Sequence, residues 1–132
     1  MIGLDTNVVV RFLVQDDEGQ SRASRELMAT LTRGRPGFLS HVVLVEAYSV
    51  LTRAYGVDRA AAIGHLEALA SAPELAVESS RVVLAACEAA RDGADFADAL
   101  IDAVAHRHGC TGVATFDKRA AATLQWRLLG GD

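Results

Sequence analysis

The stretch Met1-Ile-Gly-Leu-Asp5-Thr-Asn-Val-Val-Val10 decides the fold of this chain. Its short apolar run predicts a buried strand that ends at Asp5. Thr6 or Asn7 is then predicted to cap a helix of apolar residues. In open parallel α/β sheets, ligands bind beside the carboxyl ends of the strands. A carboxylate at that edge, among apolar neighbours, therefore indicates a cation-binding site.

Strand-like and helix-like segments alternate along the rest of the chain. The predicted strands are 38–39, 75–77, 110–115 and 126–129, and the predicted helices are 18–33, 41–56, 58–70, 79–93, 95–109 and 120–124. Such alternation favours an α/β fold in which helices cover both faces of a parallel sheet. No linker, repeat or low-complexity segment interrupts the pattern. A single domain over residues 1–132 is therefore predicted.

Composition restricts the class of protein. The chain is 51% hydrophobic, yet no apolar run approaches the length of a membrane span, and the start carries no secretory signal pattern. Two cysteines are too few for a disulfide framework and lack zinc-ligand spacing. We therefore expect a cytoplasmic protein without membrane association. The net charge of −4 argues against a nucleic-acid partner, unless a divalent cation offsets acids gathered at one place.

Two acids follow predicted strands. Asp5 ends the first strand, and Asp117 follows Thr115-Phe116 at the end of a later one. Neighbouring strands lie ~4.8 Å apart, so two such acids can lie roughly 5–10 Å from each other. Taken alone, each is equally well explained as a helix cap.

Glu46 interrupts a helix that is apolar nearly all round, so its carboxylate is expected to lie against apolar surface. Burying a carboxylate is costly unless it is paired, protonated or bound to a metal. Pairing with Arg11 is the alternative that needs no ligand.

Asp95, Asp98 and Asp102 are spaced to share one helical face. Asp95 is explained as an N-cap, and Asp98 is favoured by the helix dipole in the first turn. Asp102 lies beyond that turn and gains little from the dipole. Three like charges on one face indicate a cation or a basic partner.

Together these acids predict an all-oxygen pocket, which suits Mg²⁺ or Mn²⁺ better than zinc. Helices packed over the sheet edge would add Glu46 and Asp98 to Asp5 and Asp117. Such ions serve phosphoryl transfer and phosphodiester hydrolysis. No glycine-rich phosphate loop, histidine ligand cluster or Ser–His–Asp arrangement competes with this interpretation.

The chain resembles the PIN-domain family, and within it the VapC-type toxins of bacterial toxin–antitoxin pairs. The matching motifs span nearly the whole chain. They are Leu-Asp5-Thr-Asn7, Glu46 in its apolar helix, Asp95-Phe-Ala-Asp98-Ala-Leu-Ile and Ala-Thr115-Phe-Asp117. The resemblance implies a three-layer α/β/α sandwich with a central parallel sheet of four to five strands. It also implies a Mg²⁺- or Mn²⁺-dependent endoribonuclease, a homodimer, and a cognate antitoxin whose tail covers the acidic pocket.

Carried over to this chain, the resemblance makes four acids both catalytic residues and metal ligands: Asp5, Glu46, Asp98 and Asp117. It makes Thr6, Asn7 and Thr115 supporting polar residues, with Asp95 assisting, and leaves Asp102 unassigned. Candidate RNA contacts are the basic residues Arg11, Arg53, Lys118 and Arg119, each of which is also explained as solvated surface.

Three alternatives stay open. A receiver-like phosphoacceptor domain also gathers acids and Mg²⁺ at strand ends, but such domains usually carry adjacent acids after the first strand, where this chain has Asp5-Thr-Asn. A non-catalytic PIN-fold binding module would be expected to lack one or more of the four acids. A DNA-directed nuclease could use the same metal chemistry.

Overall fold

A computed structural model describes residues 1–130 and contains two compact units, Met1–Ser80 (unit 1) and the part from Arg81 onward (unit 2). The predicted single domain includes residues 131 and 132, which lie outside the described range. One domain over the whole chain stays a prediction.

Unit 1 carries three strands and four helices. In chain order they are β1 (Ile2–Gly3), α1 (Thr6–Leu13), α2 (Glu18–Thr30), β2 (Gly37–Leu39), α3 (His41–Ser49), α4 (Arg59–Ser71) and β3 (Leu75–Val77). The strands form a parallel sheet in the order β1-β2-β3. Parallel pairing brings their carboxyl ends to one edge, where Asp5 follows β1 and Ser40 follows β2.

The first strand is exposed, so the expectation of a buried strand is wrong for its two residues. Ile2 exposes 48% of its surface, whereas Leu4, the residue before Asp5, is buried. The physical reason is position, because β1 forms one edge of the three-stranded sheet. Burial in this stretch begins only with Leu4 and continues with Val9 and Val10 of α1.

The long helix predicted over 41–56 changes its geometry part-way. After α3, residues Val50–Ala54 form a π-helical turn, and the amide of Tyr55 donates to the carbonyl of Val50 five residues earlier. Gly56 follows with a φ of +62°, in the left-handed region that glycine adopts readily. The nearly continuous apolar run gives no sign of this change.

Unit 2 carries the remaining elements, with α5 beginning at the last residue of unit 1. They are α5 (Ser80–Arg91), α6 (Phe96–Arg107), β4 (Ala114–Thr115), α7 (Lys118–Leu124) and β5 (Arg127–Leu128). β4 and β5 pair in parallel. β4 is much shorter than the predicted strand 110–115, since Gly109 at a φ of +86° and Gly112 occupy the stretch before it.

Each unit buries its own apolar residues. In unit 1 the most deeply buried include Val9, Val10, Leu39, Leu44, Leu51, Ile63 and Leu66; in unit 2 they include Val83, Ala86, Cys87 and Phe96. The parallel pairing expected from strand–helix alternation is confirmed. The resemblance implied one central sheet of four to five strands, whereas the five strands within residues 1–130 are hydrogen-bonded as a set of three and a pair.

Candidate functional site

Asp5 lies two residues beyond β1 and is itself the N-cap of α1. Its Oδ1 accepts a hydrogen bond from the amide of Val8 at 3.1 Å, so the prediction that Thr6 or Asn7 caps this helix is wrong. The cap is the carboxylate because its oxygen reaches the amide three residues on. Asp5 and Asn7 are exposed. Capping thus holds one carboxylate oxygen of Asp5 in place at the carboxyl edge of the sheet.

Glu46 is joined to the start of α1. The hydroxyl of Thr6 donates to Oε1 of Glu46 at 3.1 Å and thereby links α1 to α3. Glu46 is exposed, so the expectation that it lies against apolar surface is wrong. The physical reason is that α3 buries Leu44 and Ala47, whereas Val42, one turn before Glu46, is 68% exposed.

Arg11 holds the connection between α1 and α2. It donates through Nε to Gln20 at 2.9 Å, through Nη1 to the hydroxyl of Tyr55 at 2.8 Å, and through Nη1 to the carboxylate of Asp16. The hydrogen bond from Arg11 lowers the pKa of Asp16, and the same bond raises the pKa of the guanidinium. Arg11, the possible ion-pair partner of Glu46 in the sequence analysis, therefore forms its ion pair with Asp16.

Two neighbouring acids of unit 2 influence the ionisation of Asp98. The pKa of Asp98 is raised, first by partial burial and then by the negative charges of Asp95 and Asp117. Asp95 is the predicted N-cap of α6, with Oδ2 accepting from the amide of Asp98 at 3.1 Å. Like charges this close disfavour ionisation, so a bound cation would relieve the repulsion.

Asp117 is held at the junction of β4 and α7. Its amide donates to Oγ1 of Thr115 at 3.0 Å, and its Oδ1 accepts from the amides of Arg119 and Ala120 at 2.9 and 3.0 Å. This confirms the predicted cap. Lys118 and Arg119, the next two residues, are exposed. Arg53, on the π-helical turn of unit 1, is also exposed.

Asp102 has a structural role that the sequence does not reveal. Its Oδ1 accepts a hydrogen bond from Nε1 of Trp126 at 2.8 Å, and Nδ1 of His106 lies 3.5 Å from the same oxygen. The indole is only 8% exposed, so its N–H needs an acceptor within the protein. Asp102 thus differs from Asp95 and Asp98 although it shares their helical spacing.

Sequence reasoning missed a second contact at the carboxyl edge of the unit 1 sheet. Oε1 of Glu78, the residue after β3, accepts from the amide of His41 at 2.9 Å, and Nε2 of His41 lies 2.6 Å from the carbonyl oxygen of Glu78. These contacts tie β3 to the start of α3. The available signal was the position of Glu78 directly after a predicted strand, as for Asp5.

Comparison with models of known protein families shows to which family the chain belongs. A sequence model of the PIN domain matches residues 2–123. The chain belongs to the PIN domain family. Membership confirms the predicted PIN-like α/β fold class and the resemblance drawn from the four motifs.

Individual proteins are less similar to this PIN domain than the family model is. No curated protein sequence matches it. Among solved structures, it is similar to the crystal structure of VapC20 from Mycobacterium tuberculosis, described as a sarcin-ricin loop cleaving toxin. The two share 21% sequence identity over 92% of this chain and 94% of that chain, with a TM-score of 0.48.

The acids of this PIN domain fit a hard divalent cation in chemistry. Carboxylate and hydroxyl oxygens are the donors that Mg²⁺ and Mn²⁺ prefer. Partial burial, and then the negative charges of Asp95 and Asp117, raise the pKa of Asp98, and a cation would offset those charges. Within residues 1–130, however, no three His, Cys, Asp or Glu side chains are gathered closely enough to hold a metal. The predicted set of ligands therefore stays a prediction.

Unit 1 contains a cavity of about 370 Å³ that is mainly apolar and carries none of the predicted acids. Its lining includes Phe12, Leu13, Met28, Leu69 and Leu75.

Among residues 1–130, no helix combines the length and apolar character that crossing a membrane requires.

Proposed function

We propose that this PIN domain is a metal-dependent endoribonuclease and the toxin of a toxin–antitoxin pair. Membership in the PIN domain family is the observation that carries the proposal. The order of the four motifs, which resembles that of VapC-type toxins, supports the narrower assignment. Asp5, Glu46, Asp98 and Asp117 are the proposed catalytic acids and ligands of Mg²⁺ or Mn²⁺.

The hydrogen bonds at these acids support a positioning role for their neighbours. Thr6 holds one oxygen of Glu46, and Thr115 holds the amide of Asp117. Capping holds one oxygen each of Asp5 and Asp117, which orients the carboxylates without neutralising them. Hydrogen bonds of this kind restrict the orientation of the carboxylates, and the rate of a metal-dependent hydrolysis depends on that orientation.

The chemistry follows from the charge that these residues gather. When bound, a divalent cation supplies positive charge that activates water and stabilises the leaving oxygen of a phosphodiester. The chain's own acids are proposed to bind and orient the cation, which would offset the charges of Asp95 and Asp117 that help to raise the pKa of Asp98. Exposed basic residues, among them Arg53, Lys118 and Arg119, are proposed to contact phosphates of the RNA.

Ribonuclease activity of the purified chain tests the proposal. Mixed structured RNAs are incubated with Mg²⁺, Mn²⁺ or EDTA, beside the variants Asp5→Asn and Asp98→Asn. Asparagine caps helices as well as aspartate does, so Asp5→Asn keeps its cap and loses only its charge. The matched control is Asp102→Asn, which removes a charge from the same helix as Asp98 and still offers Trp126 an acceptor.

We expect cleavage that requires metal, disappears in Asp5→Asn and Asp98→Asn, and persists in Asp102→Asn. If the chain cleaves DNA and no RNA, the proposed ribonuclease activity is wrong and the chain is a DNA-directed nuclease. Metal binding without cleavage of any nucleic acid would overturn the enzyme assignment in favour of a PIN-fold binding module or a phosphoacceptor domain.

The partners follow from the same assignment. We propose a cytoplasmic homodimer and a cognate antitoxin whose basic tail covers the acids. The net charge of −4 and the exposure of Asp5, Glu46 and Asp117 favour a basic partner segment. Sedimentation of the purified chain tests the dimer, and inhibition of cleavage by the protein encoded beside it tests the antitoxin.

A further inference from the structure

Phe116 is the exposed aromatic residue of unit 2. It exposes 79% of its surface, whereas the other two aromatic side chains of this unit, Phe96 and Trp126, are 0% and 8% exposed. Single exposed apolar residues are common on protein surfaces, so exposure alone assigns no role. The position and surroundings of Phe116 decide the matter.

The backbone on both sides of Phe116 is fixed. The amide of Asp117 donates to Oγ1 of Thr115 at 3.0 Å, which closes a tight turn around Phe116. Asp117 then caps α7. The ring lies beside Gly130, since a Cβ added there would meet Cε1 of Phe116 at 3.7 Å. Hydrogen bonds on both sides of Phe116 therefore hold the backbone that carries the exposed ring.

The residues that follow Phe116 carry the chemistry of RNA binding. Asp117 is one of the proposed catalytic acids and lies close enough to Asp98 to raise its pKa. Lys118 and Arg119 are exposed cations directly after it. Four successive residues thus offer an aromatic ring, a carboxylate and two partners for phosphates.

We propose that Phe116 stacks on an unpaired nucleobase of the RNA, next to the phosphodiester that is cleaved. The proposal rests on the ribonuclease function proposed above and adds the contact that positions the substrate. Single-stranded and looped RNA is bound by stacking of unpaired bases on aromatic side chains, while cations hold the phosphates. Because every base has a π-face, this contact favours unpaired over paired RNA without selecting one base.

Kinetics on an RNA that the wild type cleaves provide the first test. Phe116→Ala should raise KM about fivefold to 150-fold, the range expected for loss of one stacked base, and change kcat much less. Phe116→Trp should retain the wild-type KM. The matched control is Ile101→Ala, which shortens another apolar side chain of unit 2 that is 50% exposed. Equal kinetics for Phe116→Ala and Ile101→Ala would overturn the proposal.

The salt dependence of binding separates stacking from charge. In the uncleaving Asp98→Asn background, Phe116→Ala should weaken binding of a single-stranded RNA oligonucleotide at every salt concentration and leave the slope of log K against log salt unchanged. Lys118→Ala should instead reduce that slope by about one. A change of slope in Phe116→Ala, or no loss of affinity, would contradict stacking.

Fluorescence reports on the ring directly and needs no cleavage. In the same background, Trp placed by Phe116→Trp should be quenched on addition of the oligonucleotide, and Trp placed by Ile101→Trp should not. If the wild type cleaves no RNA, the function proposed above fails, and this titration still decides whether Phe116 binds a base. A changed oligomeric state of Phe116→Ala with unchanged RNA affinity would assign the ring to a protein interface instead.

Discussion

The indole Nε1 of Trp126 donates a hydrogen bond to Oδ1 of Asp102 across 2.8 Å. This bond joins α6 to the residue that precedes β5. The bond gives Asp102 a role different from those of Asp95 and Asp98, although the spacing of the three residues places them on one face of the helix. A row of three aspartates thus contains two functional candidates and one structural acceptor.

Replacing Asp102 should therefore change stability through the hydrogen bond to Trp126, since the charges that raise the pKa of Asp98 are those of Asp95 and Asp117. Asp102→Ala leaves the indole N–H of Trp126 without its acceptor in a nearly buried site, and we expect a loss of ~1–3 kcal/mol in the free energy of unfolding. Asp102→Asn keeps an acceptor oxygen and should lose much less. Urea denaturation monitored by Trp126 fluorescence measures both. Equal losses would show that the charge of Asp102, and not its hydrogen bond, stabilises the fold.

Asp98→Asn should stabilise the folded chain near neutral pH. The raised pKa means that the folded state holds this proton more tightly than the unfolded state, whose value is near 3.8. Ionising Asp98 thus costs folding free energy. The cost is absent below the unfolded-state pKa and complete once the pH has risen through the folded-state pKa. Because the carboxylate is partly hydrated, we expect a gain of ~0.2–0.5 kcal/mol.

Urea denaturation of Asp98→Asn and wild type at pH 7 and pH 3 measures this difference. The gain should be present at pH 7 and vanish at pH 3. Glu88→Gln, which neutralises an exposed acid of α5, serves as the control and should show no such dependence. A gain of equal size at both pH values would contradict a cause in ionisation.

Divalent cations should raise the thermal stability of the wild type. A ligand that binds only the folded state adds ~2.7 kcal/mol when its free concentration is a hundred times its Kd. Thermal unfolding in Mg²⁺ or Mn²⁺, compared with EDTA at matched ionic strength, measures the shift. It should be smaller in Asp98→Asn than in Asp102→Asn. Equal shifts in the two variants would place the cation elsewhere.

Arg11→Ala should loosen the connection between α1 and α2. Arg11 binds Asp16, Gln20 and Tyr55 at once, and alanine removes all three hydrogen bonds. Hydrogen exchange of the amides between residues 14 and 20 should become faster. The control is Arg22→Ala, which breaks an exposed ion pair with Glu18 and should change little. Equal exchange in both variants would show that these bonds do not order the connection.

The helix starts in this chain were largely predictable because caps are local. Asp17, Ser40, Asp95 and Asp117 each follow the rule that a short polar side chain precedes a helix and accepts from an amide two or three residues on. The rule became ambiguous where three capping residues stand in a row. Asp5, Thr6 and Asn7 are all suitable, and only the backbone decides in favour of Asp5.

Properties that depend on distant residues were not predictable in the same way. The exposure of Glu46 depends on which side of α3 meets the rest of unit 1, and nearly uniform apolar residues give that helix no polar side. The acceptor role of Asp102 depends on Trp126, which lies 24 residues away in the chain. The candidate acids were identified by motif, whereas their hydrogen-bond partners required the structure.

The caps formed by Asp5, Asp95 and Asp117 have an evolutionary consequence. Asparagine caps a helix as well as aspartate does, and one nucleotide separates their codons. A single mutation can therefore remove the charge on which the proposed chemistry depends while the helix starts remain intact. Asp→Asn alleles at these positions should encode folded proteins, so a lineage released from selection for cleavage could pass through inactive chains that still fold.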